Sequence, residues 1–147
     1  MAFLLSTGLA TALAGTDSLK SALDGGEIRV YSGAVPNSAD DGIGAAVLLC
    51  TFLLDGTDPL EFEHTGTMVR KPTGDTWSGD AVATGTASFF RVVQSGDTNG
   101  TSASDVRAQG TVGMNNSADM VLQDVGFTSG LNRVLHNAVF SIPLRKQ

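Results

Sequence analysis

Two histidines and one cysteine have the widest chemical range of the side chains in this sequence, and they stand far apart. His64 and His136 each lie in an alternating segment, on the side that carries apolar residues. Cys50 follows an apolar run that begins at position 45. Zinc sites need closely spaced pairs of such ligands, so this spacing predicts no metal site, and a single cysteine allows no internal disulfide. We expect the histidines to be core or interface residues and Cys50 to be a buried, unreactive thiol.

Oxygen ligands are concentrated in one polar loop. Asp97, Asn99, Thr101 and Asp105 occupy alternate or nearby positions, as at the start of a calcium loop. The sixth and twelfth positions lack the glycine and the glutamate of an EF-hand. A solvated turn is therefore the favoured interpretation, and ion binding by the loop is left open.

The sequence shows no recognisable arrangement of residues for acid–base or nucleophilic catalysis. Glu61 and Glu63 share one face of a predicted strand, where a solvated or partner-facing acidic surface is expected. The sequence contains no phosphate-binding loop, no dinucleotide fingerprint and no nucleophile elbow. We therefore predict no catalytic residue and no cofactor, and a protein that is not an enzyme.

Composition favours a single all-β domain. The chain has 147 residues, of which 18 are glycine and only 16% are charged, so tight turns should be numerous. The formal net charge of −6 argues against a nucleic-acid partner, which requires a basic surface. No apolar run reaches the length of a membrane span, and no basic residue precedes Phe3 as in a secretory signal.

Alternation predicts about seven to nine short strands and no long helix between them, a pattern typical of an antiparallel β-sandwich or jelly roll. The stretch 76–95 reads as the longest, central strand; it holds the only tryptophan, Trp77, and the adjacent pair Phe89 and Phe90. An apolar run at 45–55 predicts a strand buried on both faces. The other predicted strands are 27–33, 60–71 with a break at Gly66, 105–114, 120–128 and 133–144.

Helical signals are confined to the N-terminal segment. Ser6 or Thr7 can cap a first short helix, and Thr16 or Asp17 a second. Each piece is too short to be stable alone in water, so it must pack either on the sheet of its own chain or on a neighbouring subunit. We divide the chain into an N-terminal helical arm, 1–25, and a β-sandwich domain, 26–147.

Several segments resemble small virion structural proteins of tailed bacteriophages, in particular capsid decoration (cement) proteins. They are residues 5–9 with Ala12–Leu13, 26–33, Pro36 with 39–40, 77–79, and 83–87 followed by Phe90–Arg91. The resemblance covers most of the first hundred residues, and it rests on the order of these segments in the chain. Bulkier residues than Ser88 and Phe89 are expected after Ala87, which leaves the subgroup open.

The resemblance implies a β-sandwich on the outer surface of a phage head, between major capsid subunits. The implied partners are the phage major capsid protein and further copies of this chain, as a dimer, a trimer or neighbouring contacts. The protein would be made in the bacterial host cytoplasm and located on the virion. Leu9, Leu13, Leu19 and Leu23 are predicted to contact the neighbouring subunit. Two alternatives remain: a tail or baseplate component, and a carbohydrate-binding module that uses Trp77 and Tyr31.

Overall fold

The computed structural model describes residues 3–66 and 68–141, the last two by their backbone alone. It contains two short helices, α1 (Thr7–Ala14) and α2 (Leu19–Leu23). The strands are β1 (Leu4–Leu5), β2 (Gly26–Ser32), β3 (Val47–Leu54), β4 (Glu63–Thr65), β5 (Met68–Arg70), β6 (Trp77–Asp80), β7 (Gly85–Thr86), β8 (Phe89–Gln94), β9 (Arg107–Gly113), β10 (Met120–Val121), β11 (Gly126–Phe127), β12 (Asn132–Leu135) and β13 (Val139–Ser141).

The main sheet has the order β1-β9-β8-β2-β3-β6-β12, with β10 added in parallel to β9. All the other strand pairs are antiparallel. Two small sheets accompany the main one, β11-β7 and β13-β5-β4. The all-β class is therefore confirmed, whereas the two-layer sandwich or jelly roll stays a prediction.

Alternation along β2 separates two faces of the main sheet. Ile28 and Val30 are fully buried on one face, which we call the core face, and belong to the main apolar cluster. Arg29 and Tyr31 point to the opposite side, the outer face, because successive side chains of a strand alternate. The strand predicted at 27–33 is thus confirmed.

Both helices begin where a serine can cap them. Ser6 Oγ accepts a hydrogen bond from Leu9 N at 3.0 Å, as expected for α1. In α2 the cap is Ser18, not Thr16 or Asp17 as predicted. Ser18 Oγ accepts from Ser21 N, and Ser21 Oγ accepts from Ser18 N. This reciprocal capping box satisfies two N–H groups, which a cap one or two residues earlier would leave unpaired.

The prediction of one long strand at 76–95 is wrong, because the chain divides there into β6, β7 and β8. Between β6 and β8 the backbone changes partner repeatedly. Ala81 N donates to Leu131 O, and Val82 N donates to Leu49 O. Ala87 N then donates to Val125 O, and Ser88 N to Tyr31 O. Period-2 character persists through this crossing, so the pattern could not reveal that the ladder is broken.

Two further strand predictions are corrected in detail. The segment 45–55 forms β3, but it is not buried on both faces, since Val47 is 49% exposed. The segment 120–128 contains only the two-residue strands β10 and β11. The break at Gly66 is confirmed: β4 and β5 meet in a hairpin where Gly66 has a φ of 60°. Of the predicted strand 133–144, residues 142–144 lie outside the described part of the chain.

Candidate functional site

The four N-terminal leucines do not form a free docking surface. Leu9 and Leu23 are fully buried and Leu19 is 4% exposed, all within the main apolar cluster of the same chain. Leu13 is partly buried against that cluster. The leucines therefore pack against the core face of the sheet in their own chain. Of the two alternatives for the helices, the structure shows packing on their own sheet.

The histidines and glutamates are not brought together. His64 and His136 are both exposed, so of the prediction of core or interface histidines the core alternative is wrong, and the interface alternative stays a prediction. Glu61 is exposed as well, and Glu63 pairs with Arg70 at 2.6 Å on the surface. Among the described residues, no three His, Cys, Asp or Glu side chains lie close enough together to hold a metal ion.

The polar loop with calcium-like spacing is engaged in protein contacts. The Asp97 carboxylate accepts from Arg107 Nε at 2.7 Å and from Asn99 N at 2.7 Å. Asn99 Oδ1 accepts from Arg29 Nη1 at 2.8 Å and from the Tyr31 hydroxyl at 2.6 Å. Asp105 Oδ2 accepts from Arg107 Nη2 at 3.2 Å, so three of the four oxygen-bearing side chains already bind to the sheet.

Three arginines form a cluster on the outer face of the main sheet. Arg29, Arg91 and Arg107 lie on β2, β8 and β9, and they are 9%, 0% and 0% exposed. Arg29 is the cross-strand partner of Arg91, and Val93, two residues further along β8, is the partner of Arg107. We call these three residues the arginine cluster. Their burial requires a cover on this face, and the two long loops at 33–46 and 95–106 provide it.

Contacts from the arginine cluster bind both loops to the sheet. Arg91 Nη2 donates to the carbonyls of Asp41 and Ser38, at 2.7 and 3.3 Å. Arg29 Nη1 donates to the Asp97 carbonyl at 2.8 Å, and Arg107 Nη1 to the Ala39 carbonyl at 3.3 Å. Burying polar groups is costly unless they are paired, so these bonds favour one fixed arrangement of the loops.

Two members of the arginine cluster, Arg29 and Arg91, have pKa values shifted in opposite directions. Burial works to lower the pKa of Arg29, but its hydrogen bond and ion pair with Glu27 outweigh that effect and raise the pKa. The pKa of Arg91 is lowered by burial and by repulsion from Arg107. Among the described residues Arg91 donates only to neutral acceptors, and its Nη1 is buried without a hydrogen-bond partner. Arg91 is therefore the one member of the cluster without a carboxylate contact among the described residues, whereas Glu27 pairs with Arg29, and Asp97 and Asp105 pair with Arg107.

The arginine cluster was not predicted from the sequence, although a signal was present. Arg91 interrupts the apolar run from Phe89 to Val93, and Arg29 lies between Ile28 and Val30. A cation within such a strand must have a polar cover, since an unpaired charge is very rarely buried. The identity of that cover depends on loop contacts that span 50 or more residues, for example between Arg91 and Asp41.

A second feature is an open groove of about 750 Å³ beside β12, which we call the edge groove. Its apolar side chains are unusually exposed: Val121 by 51%, Leu131 by 59% and Val134 by 39%. The groove is lined by Val121–Asp124, Gly126, Thr128 and Leu131–Asn137.

Arg133 fixes one wall of the edge groove. Its two terminal nitrogens donate to the carbonyls of Gly126 and Asp124, each at 2.7 Å. Its guanidinium also lies 4.1 Å from the centroid of the Phe127 ring. The segment that faces β12 is therefore held against the strand, and the groove is a preformed feature of the described fold.

The edge groove is suited to binding another polypeptide. Three apolar side chains lie among the amides of Gln123, Asn132 and Asn137, which resembles the apolar centre and polar rim of protein interfaces. The order of the main sheet ends at β12 among the described residues, so that strand presents a backbone edge next to the groove. Sequence analysis predicted a strand here but had no signal for its position at the end of the sheet.

No helix among the described residues has the length and apolar character needed to cross a bilayer. Comparisons of the whole chain found no matching family model, no similar curated protein and no similar solved structure.

Proposed function

We propose that this protein is a virion structural protein that binds the outer surface of a phage head as a decoration protein. In this proposal the edge groove makes the contact with the major capsid protein, and the N-terminal leucines do not. Further copies of the chain on the same shell would bind in the same way. The sequence resemblance to capsid decoration proteins is the reason for choosing this class.

The observation that carries the proposal is the exposure of Val121, Leu131 and Val134 around one preformed groove. Exposed apolar side chains that lie singly on a surface need no explanation, but a contiguous set with a polar rim indicates a binding surface. A decoration protein needs such a surface and a rigid body behind it. The arginine cluster supports that rigidity by holding two long loops on the sheet.

The occupant we propose is an extended segment of the capsid subunit that adds to the free edge of β12. Strand addition supplies affinity through main-chain hydrogen bonds, and alternate side chains of the added strand fill adjacent pockets. The edge groove would accept those side chains against Val134 and Leu131. On a shell, many copies of a modest contact act together, so each interface can be small.

The carbohydrate-binding alternative loses its two candidate residues. Trp77 and Tyr31 are both fully buried, so neither ring can stack on a sugar. Trp77 packs edge-on against Phe62 at 5.2 Å, and Tyr31 stacks on Phe89 at 4.9 Å. Both rings contribute to packing within the chain.

Shell binding tests the proposal with a matched pair of variants. Val134→Lys places a charge in the edge groove, whereas Val47→Lys places the same charge on an exposed strand position outside it. We expect wild type and Val47→Lys to co-sediment with undecorated heads, and Val134→Lys to remain in the supernatant. Equal binding by the two variants would show that the edge groove does not make the contact with the shell.

Composition of purified particles separates head from tail. A copy number comparable to that of the major capsid protein supports decoration. A few copies per particle, recovered with isolated tails, would instead support the tail or baseplate alternative. Absence of the protein from particles would end both proposals.

A further inference from the structure

Asn99 and Gly100 form the dipeptide most prone to cyclisation, at the tip of the loop that covers the arginine cluster. Glycine has no Cβ, so its backbone nitrogen can approach the side chain of the residue before it. Gly100 is exposed, and Asn99 has a φ of 65°, in the left-handed region. Asparagine and aspartate both tolerate that region, so the backbone accepts either residue.

The side-chain amide of Asn99 is held by two strong donors. Arg29 Nη1 lies 2.8 Å and the Tyr31 hydroxyl 2.6 Å from Oδ1. The atom that faces Arg29 must be the oxygen, since a guanidinium is a donor only. Two donors on a carbonyl oxygen draw electron density from its carbon and stabilise negative charge on the oxygen during nucleophilic attack.

The surroundings of Asn99 favour a carboxylate at this position. Among the described residues Arg91 contacts no carboxylate, and it lies across the strand from Arg29, so its charge is available to a carboxylate at position 99. The carboxylates that would repel the new one are Glu27, which pairs with Arg29, and Asp97, whose Oδ1 accepts from Asn99 N. Repulsion from Asp97 is reduced because Arg107 binds both oxygens of its carboxylate.

We propose that Asn99 is a site of spontaneous deamidation, and that the aspartate formed there completes the arginine cluster. Gly100 N loses its proton and attacks Asn99 Cγ. The Cγ–Nδ2 bond then breaks, ammonia leaves with the proton, and a succinimide remains. Water adds to the side-chain-derived carbonyl of this ring, which gives aspartate, or to its backbone carbonyl, which gives isoaspartate. The net change is the consumption of one water and the release of one ammonia.

The fold should favour the aspartate product over isoaspartate. Asn99 O accepts from Ile43 N, and Asn99 N donates to Asp97, so the backbone at this residue connects the two covering loops. Isoaspartate inserts a methylene into that backbone and would displace one of these bonds. Aspartate keeps the backbone and presents its carboxylate to Arg29 and Tyr31.

The proposal is tested by ageing the folded protein at mildly alkaline pH and mapping its peptides by mass. We expect the peptide that contains Asn99 to gain the mass difference between an amide and an acid, and to co-elute with the aspartate standard. Asn37 and Asn116, each followed by serine, provide internal comparisons. Hydroxylamine, which cleaves a succinimide, should cut the folded chain after residue 99.

Gly100→Ala is the matched control. A Cβ at this position would meet Thr98 Oγ1 at 3.7 Å, an ordinary contact, and Gly100 does not have a left-handed φ. The variant should therefore fold, and the mass gain should be lost. If Asn99 stays intact in folded wild type while it converts in urea, the fold protects the residue and the proposal is wrong.

Asn99→Asp tests the second half of the proposal. We expect its urea midpoint to lie above that of freshly prepared wild type. A lower midpoint would show that the arginine cluster does not accept a carboxylate here. Neither result depends on shell binding, so failure of this proposal is distinguishable from failure of the proposed function.

Discussion

Arg107 and Asp97 form an ion pair from which water is almost wholly excluded. Arg107 Nε lies 2.7 Å from Asp97 Oδ2, and the two side chains are 0% and 2% exposed. The pair joins β9 to the loop at 95–106 and lies beside Arg29, whose Nη1 donates to the Asp97 carbonyl. Removal of Asp97 would leave the buried Arg107 guanidinium with only the longer contact to Asp105, at 3.2 Å, whose side chain is 44% exposed.

Asp97→Asn should destabilise the protein by about 3–5 kcal/mol, as expected when one partner of a buried pair is removed. Urea unfolding measures this free energy. Glu63→Gln is the matched control, because its ion pair with Arg70 is about 40% exposed on both sides. That variant should cost at most about 1 kcal/mol. Equal losses in the two variants would contradict the burial of the Asp97 pair.

The ion pair between Arg107 and Asp97 predicts that the stability of the protein depends on pH. Burial acts to raise the pKa of Asp97, but hydrogen bonds from Arg107 and from Asn99 N outweigh it, and the pKa is lowered. A carboxyl whose folded pKa is depressed stabilises the fold above its unfolded value, about 3.9 for aspartate. This contribution is lost as pH falls through the folded value. The difference in unfolding free energy between wild type and Asp97→Asn should therefore be constant near neutral pH and shrink below about pH 4.

Leu23→Ala tests whether the N-terminal helices belong to the core. Leu23 is fully buried, so truncation should cost about 2–5 kcal/mol, whereas Leu13→Ala at a partly buried position should cost clearly less. Deletion of residues 1–25 should yield an aggregating chain, because it uncovers the core face of the sheet. A soluble, cooperatively folding deletion variant would show instead that the helices form a separable arm.

Trp77→Ala should destabilise the domain by about 3–5 kcal/mol, since the ring is fully buried against Phe62. Trp77→Phe should cost less, because Trp77 Nε1 has no hydrogen-bond partner to lose within the described part of the chain. Wild-type tryptophan emission should be blue-shifted. A solvent-like maximum in the folded protein would contradict this burial.

Cys50 should react slowly with thiol reagents in the folded protein. Its side chain is fully buried, and burial raises the pKa of the thiol to about 11, so thiolate is scarce at neutral pH. Labelling should become rapid and stoichiometric once urea unfolds the chain. Rapid labelling without denaturant would mean that β3 opens readily.

Local sequence patterns predicted the elements that depend on alternation or capping by residues close together in the chain. Alternation around Ile28 and Val30 identified β2, and the capping residues Ser6 and Thr7 identified the start of α1. The burial of Cys50 followed from its apolar neighbours. In each case the physical cause is alternation or capping over a few residues, which a sequence displays directly.

Non-local partners account for what was missed. The crossing after Asp80 looks like a strand because its residues alternate, although their N–H groups bond to four different parts of the chain. The arginine cluster depends on carbonyls such as those of Asp41 and Ala39, which carry no side-chain signature. The edge groove exists because β12 ends the sheet order, and strand order is not encoded in the alternation of any single strand.

Ser6 bonds to residues that are synthesised much later, and this has a consequence for biogenesis. Its hydroxyl donates to the carbonyl of Asp105 and accepts from Arg107 N, across 99 and 101 positions of the chain. At a translation rate of about 5–20 residues per second, the first helix must wait for roughly 5–20 s before these partners leave the ribosome. During that interval Leu9, Leu19 and Leu23 have no completed sheet to cover. Such long sequence separations also slow folding, since the closure entropy must be overcome before the contacts form. The nascent chain is therefore most vulnerable to aggregation and to chaperone capture at its N-terminal end, until β9 has been made.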